Sequence, residues 1–159
     1  SATGREAIAE MRRMLGLLRG ETGVTAPQPR LTDLPALVAD ARSTGTPVRA
    51  DLPDPLPGVS DGVALTAYRV VQEALSNVRK HAGPDATAVL RLRVDRAADG
   101  SDGGLVVEVS DDGRGAAAPD DGRGLGLTGM RERVSAHDGV LEAGPRPGGG
   151  FAVRARIPL

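Results

Sequence analysis

Between Ser60 and His81 the apolar residues recur at helical spacing, with Ala64, Tyr68, Val71, Leu75, Val78 and Ala82 on one stripe. Glu73, Asn77, Lys80 and His81 fall on the opposite side, and Gly83-Pro84 ends the helix. Helical spacing also marks residues 5–19, through Ile8, Met11, Leu15 and Leu18, and Leu31 to Ala41, with Thr32 as its expected cap. A third short helix is expected from Leu127 to His137. Elsewhere the period is two. Ala88, Leu90, Leu92 and Val94 share one face of a strand over Thr87–Asp95, with Arg91 and Arg93 on the other. Pro47–Leu52, Leu105–Val109, Val140–Ala143 and Phe151–Ile157 are the other expected strands. The Gly-rich stretch from Gly113 to Gly126 reads as a loop. The order of elements predicts an α+β fold. It is a two-layer α/β sandwich, with a mixed, mostly antiparallel sheet and its helices on one face.

Composition narrows this picture. The chain has 159 residues, which suits one domain, and its single Tyr and single Phe leave an aliphatic core. A net charge of -1 with mixed signs argues against direct nucleic-acid binding. The absence of cysteine excludes disulfides and thiolate metal sites. No apolar run approaches the roughly 20 residues needed to span a bilayer.

Three segments hold candidate chemistry. Glu73 and Asn77 are four residues apart on a helix, so their side chains are neighbours. An amide oxygen with a nearby carboxylate suits a hard cation such as Mg2+, and Glu73 is also a candidate general base. The alternative is a solvated polar face. Ser110–Gly115 reads SDDGRG and ends an apolar strand, so Asp111 is placed to accept from an amine in a cleft. Gly113 and Gly115 would let the backbone approach a flat ligand. The alternative is a plain Asp-Asp-Gly turn. Gly122–Val134 reads GRGLGLTGMRERV, glycines opening a helix whose free N–H groups face any anion. Gly124, Gly126 and Gly129 also spell a dinucleotide-binding pattern, but a polar loop precedes them, which excludes a Rossmann unit. Taken together, in this order, the three segments are far more specific than any one of them.

With those motifs in place, the chain resembles the catalytic ATP-binding domain of sensor histidine kinases, in the superfamily that includes gyrase, Hsp90 and MutL ATPases. The DesK/NarX-type branch is the nearer likeness. YRVVQEALSNVRKHA resembles the family's N box, SDDGRG its first glycine box, GRGLGLTGMRERV its second, and AGPRPGGGFAVRARIPL its closing hairpin. The resemblance implies the Bergerat fold, ATP and Mg2+ as ligands, and a role for each matching residue. Asn77 would ligate Mg2+, with Glu73 supporting the metal or acting as base, and Lys80 and His81 would face the phosphates. Asp111 would accept from the adenine amine beside Gly113 and Gly115. Gly122, Gly124, Leu125 and Gly126 would belong to a lid over the phosphates.

Two positions depart from the family pattern. Phe151 stands where a Thr is usual, and His137, expected to be exposed, stands where an apolar residue is usual. The only histidines are His81 and His137, and neither sits in a phospho-acceptor context. The chain is therefore expected to be a fragment. Residues 1–21 would end a dimerisation hairpin helix, 22–30 would be a linker, and 31–159 the catalytic domain. Its implied partners are the histidine-bearing hairpin of the same kinase and a response regulator. The intact protein would be a homodimer, this piece alone a monomer. The domain would be cytoplasmic, and the intact protein open to membrane anchoring. An anti-sigma serine kinase and a non-catalytic module of the same fold are the competing readings.

Overall fold

A computed structural model describes residues 7–8, 11, 27–53, 58–114 and 123–159. Helix α1 spans Leu34–Ser43 and follows a single 3-10 turn over Leu31–Asp33. Helix α2 spans Asp61–His81 and helix α3 spans Arg123–Ser135. The strands are β1 (Val48–Asp51), β2 (Ala88–Arg96), β3 (Asp102–Asp111), β4 (Val140–Pro145) and β5 (Phe151–Pro158). They form one sheet in the order β1-β2-β3-β5-β4. Only β1 and β2 pair in parallel, with α2 as the crossover between them, and the other neighbours are antiparallel. The mixed, mostly antiparallel α+β sheet expected from the sequence is the one observed.

The alternation read from the sequence decides which sheet face is buried. Leu90 and Leu92 of β2, Leu105, Val107 and Val109 of β3, and Val153, Ala155 and Ile157 of β5 all join one core with the helices. The other face carries the intervening residues. One row across it links Asp51, Arg91, Glu108, Arg154 and Glu142 as register neighbours, so the sign of charge alternates through all five strands. Opposite charges side by side on a sheet are mildly stabilising and like charges the reverse.

Several boundaries differ from expectation. The cap at Thr32 is not formed. The chain makes a 3-10 turn there, and the Asp33 carboxylate accepts from the Arg30 N–H at 2.8 Å. β3 is longer than expected at both ends because β2 and β5 flank it on both sides and continue its ladder. α3 begins at Arg123 rather than Leu127, so Gly124, Leu125 and Gly126 are helical. Glycine weakens a helix by about 1 kcal/mol, and here packing against α2 overrides that preference. His137 is half-buried instead of exposed. A Cβ added at Gly62 would lie 3.0 Å from its Cε1, so the imidazole packs on the start of α2. The expected hairpin helix and linker over residues 1–30 fall outside the described residues, except for Ala7, Ile8 and Met11, which are helical, and residues 27–30.

α2 begins cleanly because Ser60 is extended (φ -70°, ψ 160°) and its side-chain oxygen accepts from the Val63 N–H at 3.3 Å. Ser60→Ala removes that cap and is expected to lower stability by about 1 kcal/mol. A urea titration should show a lower midpoint with an unchanged slope.

Candidate functional site

The sequence reading put Glu73, Asn77, Lys80 and His81 together on the side of α2 opposite its apolar stripe, and in the structure these four differ in burial. Asn77 is 7% exposed and His81 is 5% exposed, both within the core layer. Glu73 is half-buried, and Lys80 alone is exposed. The reason is a second buried series on the same helix, Val63, Ala67, Val70 and Ala74, that the single-stripe reading omitted. α2 packs against both the sheet and α3. Its buried surface therefore wraps about half the helix and takes in Asn77 and His81.

Asp111 is the last residue of β3 and is 5% exposed. Three contacts fix it. Its Oδ1 accepts from the Gly113 N–H at 2.8 Å, closing a tight Asx turn. Its backbone oxygen accepts from Arg146 Nη1 at 3.1 Å. The same oxygen is approached by Gly150, whose φ of +90° would place a Cβ at 1.8 Å from it. Next door, Asp112 Oδ1 accepts from the Thr87 N–H at 2.7 Å.

The strand end is also joined to the end of α2. Arg114 N–H donates to the Ala82 carbonyl at 3.0 Å. A Cβ at Gly113 would stand 2.2 Å from that same oxygen. Glycine is thus required at 113 by the approach of the helix end. The sequence reading had assigned that requirement to a flat ligand.

These two elements bring Asn77 and Asp111 to one hollow. It is lined by Ala74, Asn77 and Val78 from α2, Val109 and Asp111 from β3, and Phe151 and Val153 from β5. Its volume is about 10 Å³, the room of roughly one water molecule. The two residues therefore share a cavity, as expected, but a cavity too small for a nucleotide in this conformation. A larger groove of about 550 Å³ lies elsewhere, lined chiefly by Leu31, Leu34, Leu52, Val59, Ala64 and Leu92. It contains none of the candidate residues.

α3 crosses directly over Glu73. A Cβ at Gly126 would lie 2.3 Å from Glu73 Oε1, so only glycine lets the helix pass the carboxylate undisturbed. Gly124 and Leu125 belong to the first turn of α3. Gly115 and Gly122 lie outside the described residues.

The chemistry of the donors fits a divalent cation. Asn77 Nδ2 is buried without a hydrogen-bond partner among the described residues. The amide oxygen and nitrogen are interchangeable by a flip. Among the described residues no group of three or more His, Cys, Asp or Glu forms a ready-made metal cluster. A cation at Glu73 and Asn77 would take its remaining ligands from water or from phosphate, as Mg2+ commonly does.

Comparison with known proteins identifies the family. Residues 62–159 match the model of the histidine kinase-, DNA gyrase B- and HSP90-like ATPases. The chain belongs to this family. Among curated proteins it is 39% identical over 83 residues to the histidine-protein kinase/phosphatase UhpB of Salmonella typhimurium, covering 52% of this chain and 15% of UhpB. It is 32% identical over 97 residues to the sensor histidine kinase YxjM of Bacillus subtilis, covering 61% and 22%. It thus spans a quarter or less of the length of these two relatives. Among solved structures, the histidine kinase domain of the Erythrobacter litoralis EL346 blue-light activated kinase matches at 30% identity and a TM-score of 0.53, over 78% of this chain and 56% of that one. The mycobacterial sensor kinase MprB matches in fold, with a TM-score of 0.58 over 82% and 96% of the two chains at 21% identity. In this ATPase-family chain no helix among the described residues is long and apolar enough to cross a membrane.

Two site features escaped the sequence reading. Arg146 gave no signal, because it lies in a turn and acts through a backbone oxygen. Gly150 is the last of three consecutive positive-φ glycines, Gly148 to Gly150, a run whose meaning needed the neighbouring strand.

Gly126→Ala is expected to push the Glu73 carboxylate aside while leaving the fold intact, because the clash is with the tip of a flexible side chain. Nucleotide affinity should fall with little change in melting temperature. Gly150→Ala meets backbone instead, at a left-handed position, and is expected to cost at least about 1 kcal/mol of stability. Calorimetric melting of the two variants side by side separates the effects.

Proposed function

We propose that this chain is the ATP-binding, phosphoryl-donating part of a sensor histidine kinase. It would deliver the γ-phosphoryl group of ATP to a histidine on a helical hairpin of the same kinase, from which the group passes to an aspartate of a response regulator. The intact kinase would dimerise through that hairpin, and this piece alone would be monomeric and cytoplasmic. The observation that carries the reading is the convergence of Asn77 and Asp111 on one hollow, within a chain of this ATPase family.

The roles follow from placement. Asp111 has one oxygen held by the Gly113 N–H, which orients the carboxylate to accept from the exocyclic amine of adenine. Asn77 and Glu73 would hold Mg2+, which supplies charge neutralisation on the triphosphate. Lys80, exposed at the end of α2, presents its ammonium to the phosphate tail. His81 is buried beside Asn77 and supports the helix end, so it contributes less directly to phosphate contact than the resemblance implies. Gly124, Leu125 and Gly126, at the first turn of α3, lie where free N–H groups and the helix dipole favour an anion. Phosphoryl transfer asks mainly for positioning and charge stabilisation, and this set of groups offers both.

The small size of the hollow favours a second reading, a module that keeps the fold without turning over ATP. Nucleotide titrations decide between them. On the kinase reading ADP and ATP bind more tightly with Mg2+, and Asn77→Ala abolishes that gain. Asp111→Asn is expected to weaken adenine nucleotides by about 10- to 100-fold, the worth of one hydrogen bond to a charged group, and to erode selectivity against guanine nucleotides. Labelled ATP mixed with a hairpin domain bearing an acceptor histidine should leave acid-labile phosphate on that partner. Nucleotide affinities that neither substitution alters would leave the non-catalytic module.

A further inference from the structure

Asp111 stands where the sheet runs out on one side. Toward β2 it is still paired, opposite Ala88, but toward β5 the pairing stops one residue earlier, with Ser110 opposite Ala152. Past that point a side chain continues the contact, because Arg146 Nη1 donates to the Asp111 carbonyl at 3.1 Å. A cationic donor makes a stronger hydrogen bond than a neutral one. Arg146 is itself held by its main chain. Its N–H donates to the Gly150 carbonyl at 3.0 Å, and its carbonyl accepts from the Gly149 N–H at 3.2 Å, which closes the turn between β4 and β5. The direction of the Asp111 carbonyl is the ψ angle of that residue, and the same rotation carries the chain that follows. On that chain lies the Gly113 N–H, which holds Asp111 Oδ1 at 2.8 Å. Arginine, carbonyl, glycine amide and carboxylate are thus linked in one series.

We propose that Arg146 is a positioning residue for base selectivity. It fixes the main chain of Asp111, and through Gly113 the carboxylate, in the orientation that accepts from an exocyclic amine. This role rests on the nucleotide-binding reading above and assigns the selectivity of that site to a turn outside it. Adenine carries an amine donor at the position where guanine carries an oxygen acceptor. A carboxylate can only accept when ionised, so it favours the first and opposes the second. That discrimination is directional, and it is lost if the carboxylate is free to turn. Arg146 is not asked to touch the nucleotide. It acts on the base through Asp111.

Two measurements test this. The first needs no nucleotide: in isotope-labelled protein the Gly113 amide reports its bond to Asp111 directly. Arg146→Ala is expected to move that resonance upfield and to speed its hydrogen exchange by about 2- to 10-fold, the share of one ordinary hydrogen bond. The second is titration with ADP and GDP in the presence of Mg2+. Arg146→Ala is expected to weaken ADP by about the same 2- to 10-fold and GDP much less, so that the preference for adenine falls. Arg146→Lys restores one cationic donor and is expected to recover most of that preference. It also serves should the alanine variant fail to fold. In an Asp111→Asn background, Arg146→Ala is expected to add nothing, because the two residues act as one unit. A Gly113 amide that Arg146→Ala leaves unmoved overturns the positioning role. So does an equal loss of ADP and GDP, a lower melting temperature with the base preference unchanged, or an effect undiminished by Asp111→Asn. Each of these leaves the nucleotide site standing. A parent protein that binds no ADP overturns the nucleotide site, and the selectivity role with it.

Discussion

One backbone carbonyl, that of Ala82, ties the site together. It ends α2, receives the Arg114 N–H at 3.0 Å, and lies so near Gly113 that a side chain there would overlap it. Helix and central strand are thereby fixed at one point, just beyond the residues that matter on each. Asn77 lies one helical turn and a little more before the clip, and Asp111 lies three residues before Arg114. Their separation is therefore set by main chain, which has far fewer ways to relax than a pair of side chains. The rest of the site depends on this joint. β5 completes the hollow against it, with Gly150 and Arg146 both bearing on the Asp111 carbonyl from the far side.

The fold was largely legible because its two periodicities do not overlap. Alternation in β2 and β5 named the buried face residue by residue, and the helical stripe with its Gly83-Pro84 stop gave α2 to within one residue. What misled was a local rule applied to a helix with two neighbours. A single apolar stripe describes a helix lying on one surface, whereas α2 lies on the sheet and under α3 at once. Val63, Ala67, Val70 and Ala74 are buried beside the stripe, and the small residues among them gave little contrast in the pattern. The same limit hid the start of α3, where glycine content argued for a loop and tertiary packing argued for a helix.

The site was legible as a set of residue types and much less so as a geometry. Asn77 and Asp111 were picked from separate motifs and do meet at one cavity. Which way each glycine is used was not readable. Gly113 answers to the helix end, Gly126 to the Glu73 carboxylate and Gly150 to a strand backbone. None of those partners is near in sequence. Phe151 was visible as a departure from the family pattern, but its place as one wall of the cavity needed the pairing of β3 with β5.

The exposed sheet face closes the picture in another way. Its row of Asp51, Arg91, Glu108, Arg154 and Glu142 sums to a single surplus negative charge while switching sign at every strand. At distances beyond about one Debye length such an arrangement is nearly invisible to an approaching polyanion. The row by itself therefore exerts little pull or push on an anion approaching from a distance. The last turn of α2, by contrast, sets the two exposed cations Arg79 and Lys80 side by side, on the helix that also lines the small cavity.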